Sequence, residues 1–220
     1  MNLTTTIIRR VRAQFGRPTG VIGRVVGWIM ASRASNRRRN VWAVSLLDVQ
    51  RRDRVLEIGF GPGIAVREIS RLAVEGYVYG LDHSEEMLRQ AMRRNSAAIR
   101  TGRVDLRLGS VDCLPVFAEP FDKVLAVNAI MFWDRTIDRL EELRRVMRPG
   151  GLIAIAHQPR GPGATDATAA ARGAEIAAAL TQAGFSDVRV RTMRLKPAVA
   201  CAIGMNPFDG GLRPSRECQS

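Results

Sequence analysis

The 220-residue chain is long enough to form one domain with a sizeable core, and its hydrophobic fraction of 46% excludes an intrinsically disordered protein. Its formal charge of +13 comes almost entirely from arginine, because Lys123 and Lys196 are the only lysines. Three cysteines without C-x-x-C spacing argue against a disulfide framework or a structural zinc site, and they fit a reducing cytoplasm. We therefore expect a cytoplasmic globular protein that holds no metal.

Residues 1–40 carry nine arginines and no acidic residue, which predicts a basic helical arm or lid ahead of the main domain. Its most apolar stretch, residues 21–30, is interrupted by Arg24 and is too short to span a bilayer. Three interpretations of this arm stay open. It forms helices that pack on the domain, a basic amphipathic surface for peripheral contact with lipid or RNA, or a transit-like leader.

From residue 41 onward, predicted helices and strands alternate, which is typical of a parallel sheet covered by helices. Helices are predicted at residues 41–50, 63–73, 85–95 and 137–147, and in an alanine-rich segment that ends near residue 183. Strands are predicted at residues 55–58, 77–81, 104–108, 121–127, 152–157, 188–195 and 198–203. Residues 148–151 (RPGG) are predicted to end the fourth helix and to turn the chain into the fifth strand.

The last two predicted strands form a hairpin, which makes the edge of the sheet mixed. We therefore predict a three-layer, doubly wound α/β fold with a seven-stranded, mostly parallel sheet and an antiparallel last strand. This domain is expected to cover residues 41–204 and to be followed by a loose tail over residues 205–220.

A glycine-rich turn follows the first predicted strand in the sequence VLEIGFGPG, residues 55–63. The dinucleotide fingerprint is G-x-G-x-x-G, but here Ile64 stands at the position of the third glycine. The carboxylate of Glu57, two residues before the first glycine, would repel a pyrophosphate and suits a ligand that carries a cationic amine. The turn therefore favours a nucleotide-like ligand other than a dinucleotide.

The pattern E-x-G-x-G-x-G after an apolar strand resembles motif I of class I S-adenosylmethionine-dependent methyltransferases. Three further blocks follow in the order of that family: YVYGLDHSEEML, GSVDCLPVFAEPFDKVLAVNAI and LRRVMRPGGLIAIA. The resemblance extends over roughly residues 41–204. It implies a Rossmann-like methyltransferase fold, S-adenosylmethionine as cofactor and S-adenosylhomocysteine as product.

The resemblance also implies a set of cofactor-binding residues at the carboxyl ends of the strands. They are Glu57, Gly59, Gly61, Gly63, Asp82, His83, Met87, Asp112, Cys113 and Asn128. Asp82 would chelate the ribose hydroxyls, Asp112 would face the adenine amino group, and Asn128 would line the methionine end. For His83, Met87 and Cys113 a position near the adenine is expected.

Three further residues are candidates for the acceptor side of the site. Phe132 and Trp133 follow the fourth strand and either wall the methyl pocket or cap the core. His157 ends the fifth strand and is the candidate general base, although a lone histidine at a strand end also suits a structural role.

The sequence leaves the methyl acceptor open, but it narrows the choice. The residues after the fourth strand, NAIM, differ from the N-P-P-Y motif of enzymes that methylate exocyclic or amide nitrogens. We therefore favour O- or C-methylation of a small, apolar metabolite, quinone-like, polyketide or lipid, by in-line displacement. The alternatives are an RNA methyltransferase that uses the basic arm, and a catalytically silent S-adenosylmethionine-binding partner protein. A monomer and a homodimer are both consistent with the sequence.

Overall fold

The computed structural model describes residues 34–208, and the predictions for residues 1–33 and 209–220 lie outside this range. The described residues form helices and strands in alternation. The strands are β1 (Arg54–Ile58), β2 (Tyr77–Asp82), β3 (Val104–Leu108), β4 (Phe121–Val127), β5 (Met147–His157), β6 (Ser186–Met193) and β7 (Val199–Met205). The helices are α1 (Ala34–Ser45), α2 (Ile64–Leu72), α3 (Glu85–Arg94), α4 (Ser96–Arg100), α5 (Thr136–Arg145) and α6 (Asp166–Gln182), with a short 3₁₀ helix at Ile130–Phe132.

All seven strands form one sheet in the order β3-β2-β1-β4-β5-β7-β6. Strands β1 to β5 pair in parallel, whereas β7 is antiparallel to both β5 and β6. The predicted fold class, including the antiparallel last strand, is confirmed. Because strand order reverses between β1 and β4, the carboxyl ends of these strands open a crevice there, where ligands of such sheets bind.

The core lies on both faces of the sheet. Side chains of α1, α2 and α3 pack on one face, and side chains of α5 and α6 pack on the other. Strand β4 lies at the centre, and its residues Phe121, Val124 and Leu125 are completely buried. Within residues 34–208, no helix combines the length and the apolar character needed to cross a membrane.

The first helix lies earlier in the chain than predicted. It covers Ala34–Ser45 instead of residues 41–50, so it crosses the predicted domain boundary at residue 40. The apolar residues after it suggested a longer helix, but Asp48 adopts a left-handed backbone conformation (φ 49°) that a right-handed helix cannot contain. Leu47 is instead a fully buried residue of the turn.

Strand β5 also begins earlier than predicted. Met147 pairs with Phe121, and Leu152 pairs with Lys123, so both sides of the RPGG segment are hydrogen-bonded to β4. The segment is therefore an irregularity within the strand, and not a turn before it. Two short elements, α4 and the 3₁₀ helix, have no counterpart in the prediction because they are too short to show a periodic pattern.

Leu125 provides a test of the central strand. Replacing it with alanine should lower the free energy of unfolding by about 2–5 kcal/mol, because it leaves a cavity in a fully packed position. Urea denaturation followed by circular dichroism measures this change. Val116→Ala is the control, since Val116 is 87% exposed and its truncation should change stability by about 0.5 kcal/mol or less. A loss at Leu125 no larger than the loss at Val116 would contradict this packing.

Candidate active site

Three glycines shape the turn between β1 and α2. Gly59, Gly61 and Gly63 all have left-handed backbone conformations, with φ of 72°, 51° and 74°. A Cβ added to Gly59 would lie 2.6 Å from the Cβ of Ala129, and one added to Gly63 would lie 2.8 Å from the Cβ of Ala91. At Gly61 an added Cβ would meet no atom within 4 Å. The first and third glycines thus allow close packing, while the second leaves open space for a ligand.

The carboxylate of Asp82 holds this turn against the end of β2. It accepts hydrogen bonds from the backbone N–H of Gly61 (2.8 Å) and from that of Ser84 (2.9 Å). Ser84 in turn is the N-cap of α3, where its hydroxyl accepts the N–H of Met87. Burial raises the pKa of Asp82, while the two backbone hydrogen bonds lower it. Asp82 therefore faces the cleft in a fixed orientation.

Glu57 lies beneath the glycine turn and does not line the cleft. Its carboxylate is hydrogen-bonded to the backbone of Val66 in the first turn of α2. Burial and, to a smaller degree, the charge of Asp82 raise the pKa of Glu57 well above its ordinary value. Its Oε2 atom has no hydrogen-bond partner among the described residues. Direct contact between Glu57 and a bound ligand stays a prediction.

An open cleft of about 130 Å³ lies at the carboxyl ends of β1, β2 and β4. Eight of the predicted site residues line it. They are Gly59, Gly61, Asp82, His83, Met87, Asn128, Phe132 and Trp133. Five predicted site residues do not line it. They are Glu57, Gly63, Asp112, Cys113 and His157.

Asp112 is turned away from the cleft. Its side chain is exposed, accepts a hydrogen bond from the Ser110 hydroxyl (2.8 Å) and forms an ion pair with Arg139 (3.3 Å). Ser110 and the buried Val111 line the cleft at this point. Recognition of an adenine by Asp112 would require its carboxylate to leave these partners, and it stays a prediction.

The two described cysteines differ in their chemical state. Cys113 is exposed and disulfide-bonded, a state that the cysteine spacing, which argued against a disulfide framework, did not predict. Cys201 is a free, completely buried thiol in β7, and burial raises its pKa to about 12. A nucleophilic role is therefore unfavourable for Cys201, because only the thiolate is reactive.

His157 is buried outside the cleft at the end of β5. Its pKa is lowered to about 4, mainly by burial and to a smaller degree by the charges of Arg172, Arg39 and Arg160. The imidazole is therefore neutral at pH 7, and its Nδ1 atom has no hydrogen-bond partner within residues 34–208. A group with this pKa is a weak general base at neutral pH. The geometry does not favour the predicted catalytic role, which stays untested.

Helix α1 supplies polar cleft residues that the sequence prediction missed. Asn36, Arg39 and Asn40 are all buried and line the cleft. Their i, i+3, i+4 spacing places them on one helix face. Arg39 donates a hydrogen bond to Gln158 just beyond β5 (2.8 Å), and the backbone N–H of Gln158 donates to Asn128 (2.8 Å). The pattern NRRRN was the available signal, but its arginines suggested only a charged surface.

The cleft fits S-adenosylmethionine by its own features. The open space above Gly61 admits a ligand close to the backbone, and Asp82 presents a buried carboxylate beside it, suitable for ribose hydroxyls. Apolar side chains of Met87 and Val111 lie on the β2–β3 side, where an adenine would stack. Asn128 lies at the end of β4, where the sequence analysis expects the methionine end of the cofactor.

Comparison with known proteins agrees with this fit. A protein-family profile described as a methyltransferase domain matches residues 55–151. With the fold and the glycine turn, it defines the class: the chain belongs to the class I S-adenosylmethionine-dependent methyltransferases, and S-adenosylmethionine is its methyl donor. Within this class it is 33% identical over 184 residues to the uncharacterised methyltransferase YdaC of Bacillus subtilis (strain 168), covering 83% of this chain and 98% of that protein.

Solved structures share the fold at lower sequence identity. A SAM-dependent methyltransferase from Aquifex aeolicus has a TM-score of 0.62 and 20% identity, covering 80% of this chain and 94% of that chain. A second match is a chain from the structure "Complex between the Haloferax volcanii Trm112 methyltransferase activator and the putative methyltransferase". It has a TM-score of 0.66 and 20% identity, covering 86% of this chain and 96% of that chain. These similarities establish the architecture alone.

The open space above Gly61 can be tested with a matched pair of substitutions. Gly61→Ala and Gly102→Ala each place a side chain in a left-handed conformation without a close contact. Each should lower stability by about 1–2 kcal/mol. Only Gly61→Ala should weaken S-adenosylhomocysteine binding, by about tenfold or more. The reason is that the alanine side chain would project into the space that the ligand would occupy. Isothermal titration calorimetry measures this affinity, and an equal effect of both substitutions on it would contradict the arrangement.

The neutral state of His157 predicts a pH dependence of stability. Its pKa is lowered to about 4 in the folded protein, so between pH 4 and 6.5 the unfolded chain binds more protons than the folded one. The free energy of unfolding should therefore rise with pH through this window, by about 1–3 kcal/mol from this residue. In His157→Asn this component should be absent. Urea titrations at several pH values measure it, and parallel curves for the two proteins would show that His157 is not responsible.

Proposed function

We propose that this methyltransferase acts on a small, largely apolar acceptor of the quinone-like, polyketide or lipid type, at an oxygen or carbon atom. The observation that carries the proposal is the aromatic wall beyond the end of β4. Phe132 lines the cleft and is still 49% exposed, and the buried Trp133 lines it beside Phe132. An exposed aromatic ring at the mouth of a cleft is suited to contact a planar or aliphatic ligand.

The polar side chains of the cleft would align the methyl donor. We assign the ribose hydroxyls to Asp82, whose carboxylate is fixed by two backbone N–H groups. We assign the methionine end to Asn128, whose side-chain oxygen is fixed by the N–H of Gln158. A donor held in this way would present its methyl group to an acceptor that contacts Phe132 and Trp133. Such positioning contributes about 7–11 kcal/mol to catalysis in well-aligned reactions.

The titratable groups of the cleft restrict the acceptor. Among the described residues, the titratable side chains that line the cleft are Arg39, Asp82 and His83. Arg39 is a cation and Asp82 is assigned to the ribose hydroxyls, so His83 is the one remaining titratable side chain of the described cleft lining. In the transfer, an electron pair of the acceptor atom forms the new bond to the methyl carbon, while the methyl–sulfur bond breaks and its electron pair stays on sulfur. The acceptor also loses a proton, which passes to a base or to solvent. An acceptor with an acidic hydroxyl or carbon atom, such as a phenol or a 1,3-dicarbonyl, suits a site with so few bases.

Two alternatives remain as rival proposals. An RNA methyltransferase would use the arginines of the basic arm, residues 1–40, of which residues 1–33 lie outside the described range. A silent binding protein would retain the cofactor site without transfer. A cytoplasmic location, a peripheral membrane contact through residues 1–40, and a monomeric or homodimeric state are further proposals of this kind. A related fold occurs in a structure with a methyltransferase activator, so a protein partner is a separate candidate for this chain.

One experiment separates these functions. The full chain is incubated with tritiated S-adenosylmethionine and an extract that is fractionated into RNA, protein and solvent-extractable metabolites. The proposal predicts label in the metabolite fraction, followed by identification of the labelled compound by mass spectrometry. Label in RNA, with binding to RNA that falls steeply as salt rises, would replace the proposal with the first alternative. Cofactor binding without label in any fraction would favour the second.

The aromatic wall can be tested with neighbouring residues of equal exposure. Phe132→Ala should lower transfer to the acceptor by about tenfold or more, because it removes contact area of about 2 kcal/mol from the acceptor side. Met131→Ala is the control, since Met131 is also 49% exposed but does not line the cleft. Initial rates of label transfer measure the change, with S-adenosylhomocysteine affinity measured in parallel. Equal rates in both variants would remove Phe132 from the acceptor site.

A further inference from the structure

Strand β6 forms one edge of the sheet. It is the last strand in the sheet order, and within residues 34–208 it pairs with β7 alone. The ladder between the two strands is regular from Arg189 to Met193, after an irregularity that follows Ser186 and contains Asp187 in a left-handed conformation (φ 49°). Successive residues of an antiparallel strand direct their N–H and C=O groups to opposite sides. Alternate residues of the regular part therefore present these groups away from β7.

The side chains of this edge are open to solvent on both faces of the sheet. Residues 189–192 are all exposed. Val190 faces α6, because a Cβ added to Gly173 of that helix would lie 3.1 Å from the Cγ1 atom of Val190. Since side chains alternate along a strand, Arg189 and Arg191 share the opposite face. The two arginines therefore lie on one exposed face, with their Cα atoms about 7 Å apart.

The charge of this edge is strongly positive. Arg194 and Lys196 follow β6 and are exposed, like Arg189 and Arg191. No salt bridge among the described residues includes any of these four cations. Asp187 is the one acidic residue in the segment 186–196. We call the four cations, together with the outward backbone groups of residues 189–193, the basic edge.

A second copy of this chain does not suit the basic edge. Antiparallel pairing of two β6 strands would bring arginines of both copies into neighbouring positions, and like charges across a ladder are destabilising. Charged side chains commonly protect sheet edges against such self-association. The terminal segments of the chain are also unsuitable, because residues 1–33 contain no acidic residue and residues 209–220 contain two acids and two arginines. Charge thus favours an occupant from a different, acidic molecule.

Two anionic partners match the charge of the basic edge but not its geometry. A bilayer binds proteins through apolar side chains as well as cations, and Val190 is the one large apolar side chain of β6 that is exposed (36%). RNA has negative charge but no N–H and C=O groups at the spacing of a β-ladder. An extended acidic polypeptide has both features, because its backbone continues the ladder and its side chains at every second position meet Arg189 and Arg191.

We propose that the basic edge binds an extended acidic segment of a partner protein, which adds to the sheet beside β6. The backbone groups of residues 189–193 hold the added strand, and the arginines select acidic side chains at alternate positions. This surface is separate from the cleft, because no residue of β6 lines the cleft. The proposal is therefore independent of the methyl acceptor.

The first experiment compares two labelled heptapeptides by fluorescence anisotropy with the full chain. The peptide ETETETE has acids at alternate positions, and QTQTQTQ keeps the pattern without the charge. The proposal predicts saturable binding of ETETETE with a Kd of about 100 μM or tighter, and binding of QTQTQTQ that is weaker by about tenfold, as expected for several exposed ion pairs. The preference should decrease as salt is raised. Equal binding of the two peptides would contradict selection by charge.

Two N-methylated forms of ETETETE separate strand addition from charge attraction. One form carries methyl groups on the glutamate amides, and the other carries them on the threonine amides. Only alternate residues of an added strand direct their N–H groups toward β6, so one form should lose binding and the other should keep it within about threefold. Equal binding of the two forms would show that no ladder forms, and the proposal would be wrong.

A matched pair of charge reversals locates the site, because the arginines of residues 1–33 also attract acidic peptides. Arg189→Glu/Arg191→Glu should weaken ETETETE binding by about tenfold or more and leave S-adenosylhomocysteine affinity unchanged. Arg37→Glu/Arg38→Glu makes the same change in net charge on exposed residues of α1 and should weaken peptide binding by about twofold or less. If the first variant does not fold, Arg189→Gln/Arg191→Gln should show a loss of about three- to tenfold.

Three results would assign the basic edge differently and overturn the proposal. An equal loss in the two charge-reversed variants would mean that net charge, and not this edge, attracts the peptide. Displacement of the peptide by a heptauridylate that binds more tightly would make nucleic acid the partner. A dimer in sedimentation velocity that Arg189→Glu/Arg191→Glu alters would make a second copy the occupant.

Discussion

The carboxylate of Asp82 joins three parts of the site through two hydrogen bonds. It accepts the N–H of Gly61 in the β1–α2 turn and the N–H of Ser84 at the start of α3, while its own backbone ends β2. Because β1 and β2 are adjacent parallel strands, the turn and the carboxylate meet at the same edge of the sheet. The positions of the glycines, the cap of α3 and the floor of the cleft therefore depend on one buried acid.

The charges of the site are arranged along its length. Two buried acids lie at the glycine turn, Glu57 under it and Asp82 beside it. Burial raises the pKa of both carboxyl groups. Arg39 and the arginines near His157 lie at the other end, beyond β4 and β5. The apolar side chains of Phe132 and Trp133 also line the cleft.

Much of the fold could be predicted from the sequence because its strands are apolar and its turns contain glycine. The bounds of β3 and β4 agree with the prediction, and the glycine turn and Asp82 lie where the motif placed them. The sequence analysis did not predict that residues of α1 line the cleft, and the reason is physical. Arg39 and Gln158 are 119 residues apart, so the burial of this arginine follows from tertiary packing and leaves no local pattern. The same holds for the burial of His157 and for the outward turn of Asp112 toward Arg139.

The close contacts of the glycine turn have a consequence for how ligands associate with the protein. Ala129 and Ala91 fit against Gly59 and Gly63, and the turn carbonyls of Pro62 and Gly63 accept hydrogen bonds from the end of α3. The turn is thus ordered by the folded domain before any ligand arrives. Fixing the backbone of one residue costs about 1–2 kcal/mol of free energy through lost conformational entropy. For the residues of this turn, that cost arises during folding and does not arise again when a ligand binds. A substitution that loosens α3 should therefore weaken ligand association without altering any atom that the ligand touches.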